Sequence, residues 1–316
     1  MVEREEGNVH NEGRYCILMK RKLLFRGTGT ALVTPFDING NVDERALHRL
    51  VEFQLRNGVE ALLPTGTTGE SVTLSDDEQA RVVEIVVEQA RGRVPVIAGA
   101  GSNSTKKAAV LAQHMLDAGA DGILSVGPYY NKPTQEGYFQ HYSAIASAVD
   151  APIIVYNVPG RTASNIEAET TLRIAEEIPN VAGIKEASGN FGQIMEILRH
   201  RPKGFGVWSG DDAITLSLVA LGADGVVSVV SNEVPKQFSA MVRLCLRGRY
   251  SQAVTLHNKL LDLMNFNFVE SNPIPVKAAL AMMGMIEECY RLPLVPMSKK
   301  HRPKLTKILT ELRLIH

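Results

Sequence analysis

The chain has 316 residues, 45% hydrophobic and 22% charged, a composition that supports one large globular domain or two ordinary ones. Its 34 Lys+Arg balance 34 Asp+Glu, so there is no broad basic field to attract nucleic acid, and no apolar run is long enough to span a bilayer. Cys16, Cys245 and Cys289 are odd in number, widely spaced and form no CxxC, which argues against a disulfide framework or a zinc site and for a reducing cytoplasm.

Residues 1–26 stand apart. They are charged, lack a periodic apolar face at their start and hold neither a signal-peptide core nor a transit-peptide composition. They read as a disordered extension, or as residues translated from an upstream start codon. From Gly27 onward, short β-branched runs alternate with longer amphipathic stretches. GTALVTPF (29–36) reads as the first strand, and Asp43 to Asn57 as a helix with Leu47, Leu50, Val51 and Leu55 on one face and Gly58 as its stop. EALLPTG (60–66) is the second strand. Ser75 with Glu78 forms a capping box that opens the next helix. VPVIAGA (94–100) follows, then a helix starting at Ser104 or Thr105. The remaining strands are DGILSVG (121–127), PIIVYN (152–157), VAGIKE (181–186), FGVWSG (205–210) and DGVVSV (224–229).

An internal echo supports this division. LDAGADGILSV (116–126) and ALGADGVVSV (220–229) both pass from a helix end through Ala-Asp-Gly into an apolar strand, and LRNGVEALLP (55–64) is a weaker copy. Repeated units of about thirty residues indicate a parallel sheet with crossover helices. About eight of them predict an α/β fold of the (β/α)8 TIM-barrel type, with an open doubly wound sheet as the alternative. The expected organisation is the extension at 1–26, a catalytic barrel over 27–248 and a helical C-terminal region over 249–316; residues 235–316 hold the last barrel helix plus further helices, as in KQFSAMVRLCLRG and the stretch Pro273 to Met285.

In such a barrel, chemistry gathers at the C-terminal ends of the strands. The informative polar residues fall there: GTTGE (66–70), GPYYN (127–131), YNVPGRT (156–162), Lys185, SGDD (209–212), and Val227 with Ser228. Lys185 is the most conspicuous. A strand-end lysine ordinarily sends its ammonium to water along a flexible stem, but this one closes an apolar run among site-forming loops. GTTGE has no Walker lysine and is not a P-loop. Its paired hydroxyls and exposed N–H groups suit a small carboxylate. GAGSNS (99–104) departs from a dinucleotide fingerprint at Ser104, so a nicotinamide cofactor is not supported, and no cofactor or metal is called for. A lysine nucleophile, tyrosine proton carriers and an arginine carboxylate clamp make a coherent set.

GTTGE, GPYYN, YNVPGRT and GIKEASG, followed by SGDD, GVVSV and NPIPVK (272–277), together resemble the 4-hydroxy-tetrahydrodipicolinate synthase family over about residues 27–300. The wider pyruvate-aldolase superfamily, including N-acetylneuraminate lyase and keto-deoxy sugar-acid aldolases, shares GTTGE and the lysine strand; the arginine of YNVPGRT is more discriminating. The resemblance implies a lyase that condenses pyruvate with L-aspartate 4-semialdehyde through a Schiff base on Lys185, in lysine and diaminopimelate biosynthesis. By the same resemblance Tyr156 is the proton carrier, and Thr67 and Tyr130 are its relay, with Tyr130 lent by a neighbouring subunit. Thr68, Val227 and Gly210 are substrate-binding, and Arg161 grips the semialdehyde carboxylate. A homotetramer built as a dimer of dimers is implied, without nucleic-acid or membrane partners. Feedback inhibition by lysine is expected to be weak or absent. Ser71, Asn103 and Tyr129 match the family's regulatory pocket, but Asp76 and Gln79 replace histidines and Lys107 replaces a glutamate. A keto-acid sensor without catalysis, or a sibling sugar-acid lyase, remains a competing reading.

Overall fold

The computed structural model describes residues 23–315. Eight strands run through it: β1 (Gly27–Ala31), β2 (Ala61–Leu63), β3 (Ile97–Gly99), β4 (Gly122–Val126), β5 (Ile153–Asn157), β6 (Val181–Glu186), β7 (Gly206–Ser209) and β8 (Gly225–Ser228). Their order is β2-β1-β8-β7-β6-β5-β4-β3, and every pairing is parallel. A bridge between Leu62 and Val96 joins the two ends, and the Gly99 N–H donates to the Pro64 carbonyl at 3.0 Å. The sheet therefore closes into a TIM barrel, and the open doubly wound alternative is excluded.

Each predicted strand is present; β6 keeps the full expected span, and the others are shorter than their apolar runs because pairing stops where the chain turns into a loop. The helices are α1 (Glu44–Arg56), α2 (Asp76–Ala90), α3 (Thr105–Asp117), α4 (Gln135–Ala148), α5 (Pro159–Thr162), α6 (Ala168–Glu177), α7 (Phe191–His200), α8 (Thr215–Ala220), α9 (Pro235–Leu246), α10 (Tyr250–Phe266), α11 (Ile274–Met282) and α12 (Arg302–Glu311). Local chemistry sets their starts. Asp43 caps α1 by accepting from the Ala46 N–H, and Ser75 with Glu78 forms the expected reciprocal box at α2. Ser104, rather than Thr105, caps α3.

The interior of the barrel is a separate apolar cluster from the layer between strands and helices. Ala31, Leu63, Ile97, Leu124, Ile154 and Val227 fill it, together with Trp208, the chain's only tryptophan. The indole is fully buried and lies across two glycines. A Cβ at Gly183 would meet its ring at 2.6 Å, and one at Gly206 at 2.2 Å. Phe25 stacks on the same indole with ring centroids 4.9 Å apart. That corrects one boundary: of the extension expected at 1–26, residues 1–22 lie outside the described residues, whereas Phe25 is buried as part of the barrel filling. The far end of the barrel is left for the site.

Candidate active site

Parallel register puts the central pair together. Tyr156 on β5 is the direct neighbour of Lys185 on β6, and Lys185 in turn neighbours Trp208 on β7. Paired residues in a parallel sheet face the same side, so all three point into the barrel. Lys185 Nζ lies 4.1 Å from the centroid of the Tyr156 ring, and both side chains are buried, with Lys185 only 6% exposed. Burial is the main force on the ammonium and pulls it down to about 7; Asp212 opposes that shift and Arg161 adds to it. A lysine in that state is half neutral at neutral pH and competent as a nucleophile.

Tyr156 moves the other way. Burial pushes its phenol up to about 12, against the opposing effects of Arg161 and of a hydrogen bond with Thr67. It therefore stays protonated at neutral pH and can donate. Thr67 and Thr68 reach the mouth from the turn after β2. Gly210 follows β7, and its missing side chain matters: a Cβ there would meet Ala187 Cβ at 2.5 Å and Lys185 Cε at 3.2 Å. Arg161 sits in the one-turn helix α5, opened by Pro159, and donates from Nη2 to the Asn272 carbonyl at 3.2 Å. A cavity of about 150 Å³ joins Lys185, Tyr156, Thr67, Thr68, Arg161 and Gly210. Six of the eight residues expected from the sequence thus meet in one place.

The other two lie elsewhere. Val227 is buried in the barrel interior, and Val229, two residues on, lines the cavity from the end of β8. Tyr130 points out of this chain's own cavity at 89% exposure, with a left-handed φ of 72°. Its neighbour Tyr129 instead lines an adjoining apolar cavity of about 190 Å³ that shares Thr67, Tyr156 and Arg161.

Two further residues belong to the site. Asn272, between α10 and α11, donates from Nδ2 to Thr68 Oγ1 at 3.0 Å and lines the cavity. Its only sequence signal was membership of NPIPVK; no periodicity places a residue 204 positions away beside Thr68. Asp212 is buried, accepts from the Val229 and Val230 N–H groups at 3.0 and 2.8 Å, and is pushed up to about 6 by burial. It ties the β7 loop to the β8 loop and biases Lys185 electrostatically. The strand end itself is buttressed by Glu186, fully buried, which accepts from Asn157, Gln193 and the Ser188 N–H.

A third cavity, about 570 Å³, adjoins the 190 Å³ one, sharing Ser71 and Tyr129 with it, and is lined also by Asp76, Gln79 and Lys107.

Residues 24–312 match the model of the dihydrodipicolinate synthetase family. A 4-hydroxy-tetrahydrodipicolinate synthase of Chloroherpeton thalassium is 52% identical over 297 residues, which cover 94% of this chain and 98% of the relative. Among solved structures, a monomeric dihydrodipicolinate synthase variant superposes with a TM-score of 0.91 at 49% identity, covering 92% of this chain and 98% of that one. The chloride-inhibited dihydrodipicolinate synthase of Acinetobacter baumannii, complexed with pyruvate, superposes with a TM-score of 0.90 at 44% identity over 92% and 99% of the two chains.

Proposed function

The chain belongs to the dihydrodipicolinate synthetase family, and from that premise we propose how its residues divide the work. Its activity is that of the 4-hydroxy-tetrahydrodipicolinate synthases: a lyase reaction of lysine and diaminopimelate biosynthesis that condenses pyruvate with L-aspartate 4-semialdehyde. The relatives favour this over a sibling sugar-acid aldolase. No helix among the described residues is long and apolar enough to cross a membrane. The cysteine pattern supports the cytoplasm as the compartment.

Neutral Lys185 attacks C2 of pyruvate, and water leaves as the iminium forms. The iminium is an electron sink, so the methyl group loses a proton to give an enamine, whose C3 attacks the aldehyde carbon. The aldehyde oxygen takes up a proton. The amine of the former semialdehyde then attacks C2 and expels Lys185, closing the ring. Tyr156 moves the protons, with Thr67 as its contact outward. Thr68 and the backbone at Val227 and Gly210 hold the substrates, and Arg161 holds the semialdehyde carboxylate through charge-assisted hydrogen bonds. The exposed, strained Tyr130 completes the relay in a neighbouring subunit; left-handed backbone at a bulky residue persists where function demands it. The assembly is then a dimer that exchanges Tyr130, with two dimers forming a tetramer. Sedimentation of the full chain tests that assembly, and a monomer that retains full turnover would refute the exchange.

The observation carrying this reading is a buried lysine, held half neutral, against the ring of a protonated tyrosine in a cavity rimmed by hydroxyls and one arginine. Borohydride reduction in the presence of pyruvate, followed by peptide mass mapping, tests it. The adduct is expected on Lys185. An adduct on another lysine, or none, overturns the Schiff-base mechanism.

A further inference from the structure

Lys277 and Glu70 form an ion pair that the reaction itself does not use. Nζ and Oε1 are 2.6 Å apart, and the side chains are 0% and 1% exposed. Lys277 also lies 4.2 Å from the ring centroid of Phe36. A buried ion pair is a poor device for stability, since apolar residues of similar volume often do as well or better. It does impose direction: the carboxylate has to face the ammonium.

What lies on the Glu70 side is the turn that carries Thr67 and Thr68. The Gly69 N–H donates to the Gly66 carbonyl and the Glu70 N–H to the Thr67 carbonyl, both at 3.1 Å. Glu70 itself has a left-handed φ of 54°, a conformation that a side-chain-bearing residue holds only where its surroundings impose it. The partner segment reaches the same turn twice. Asn272 Nδ2 donates to Thr68 Oγ1 at 3.0 Å, and five residues later Lys277 holds Glu70.

We propose that Glu70 and Lys277 are positioning residues: their ion pair, made by the C-terminal helical region, sets the orientation of the Thr67–Thr68 turn toward pyruvate. The inference rests on the function proposed above. It makes the C-terminal region a working part of the site, because α11 supplies the anchor from behind while Asn272 supplies one from the cavity side.

The test uses the full chain and the double variant Glu70→Gln/Lys277→Met, which removes both charges together so that neither is left buried alone. Melting, amide hydrogen exchange over residues 66–71 and the pyruvate dependence of borohydride trapping are measured on the same preparations. The variant is expected to melt near the parent while exchange at Gly69, Glu70 and Ser71 speeds up about tenfold. The pyruvate concentration for half-maximal trapping should rise about tenfold, and in a Thr68→Val background the same double change should matter by less than about twofold. A purely structural pair would add its full effect in that background, and this overturns the proposal. So does a folded double variant with unchanged exchange or unchanged pyruvate dependence. If the double variant does not fold, Glu70→Asp, which keeps the charge but shortens the reach by one methylene, is read in the same way; if that also fails to fold, the pair is structural and the proposal falls. Should the parent chain trap no pyruvate at all, the proposed function fails instead, and the exchange rates alone decide whether the pair holds the turn.

Discussion

The pH dependence of imine formation distinguishes a buried nucleophile from an ordinary lysine. In water a lysine of pKa 10.5 is neutral in only about one molecule in three thousand at pH 7. Lys185, pulled down to about 7 chiefly by burial, is neutral in about half. The difference corresponds to about 5 kcal/mol of disfavoured charge, within reach of a fully desolvated ammonium. Trapping by borohydride at subsaturating pyruvate should therefore rise about tenfold between pH 6 and pH 8 and then level off. An unperturbed lysine would rise about a hundredfold over the same interval and keep rising beyond pH 9. Asp212 raises the Lys185 pKa, so Asp212→Asn should move the ascending limb to lower pH. A wild-type midpoint above about pH 9 would refute the burial argument. Because the folded pKa lies below the unfolded one, the unfolded chain binds the extra proton between about pH 7 and pH 10.5. Lys185 should thus cost the fold most below pH 7, and the cost should fade as pH rises through that window.

Arg161→Ala should lower kcat/KM for the semialdehyde at least about tenfold, since a charge-assisted hydrogen bond contributes roughly 1.5–3 kcal/mol; imine formation with pyruvate should survive, and its loss would show a structural role instead. L-Lysine should inhibit weakly. Lys107 lines the third cavity, and its like-charge contact with the ligand's ammonium at about 4 Å would cost on the order of 4 kcal/mol at an effective dielectric near 20, offset only in part by Asp76 on the same wall. Half-inhibition below roughly 1 mM, equivalent to more than about 4 kcal/mol of binding, would contradict that reading. Gly206→Ala should destabilise the barrel by about 1–3 kcal/mol, because its Cβ would meet the Trp208 ring at 2.2 Å. An unchanged denaturation midpoint would mean that the indole can move aside, and the chain's single tryptophan offers a fluorescence readout of the same change.

By itself the sequence determined the local and repeating features of this protein. Strand-forming runs, caps such as Ser75 with Glu78, and the Ala-Asp-Gly echo are short-range patterns, and about eight strand–helix units predict a parallel sheet; the bridge between Leu62 and Val96 is what excludes the open alternative. Once the strands are placed, their C-terminal ends single out Lys185 and the segments GTTGE, YNVPGRT and SGDD without any knowledge of contacts; the choice of Tyr156, Thr67, Thr68, Arg161 and Gly210 within them comes from the family resemblance. Only the tertiary structure decided what those residues experience. The depressed ammonium of Lys185 comes from burial, to which the walls of a closed barrel contribute, and no single segment carries that property. Val229 lines the cavity and Val227 does not, because Val227 lies deeper in the barrel among the side chains that fill it, and how high that filling reaches is a property of the packed interior. Phe25 joins the barrel filling because Gly183 and Gly206 leave room for a large indole against which it can stack. Asn272 and Lys277 meet Thr68 and Glu70 across more than two hundred residues of chain. Such contacts arise from chain closure in space, and a one-dimensional pattern of apolar and polar residues contains no term for them.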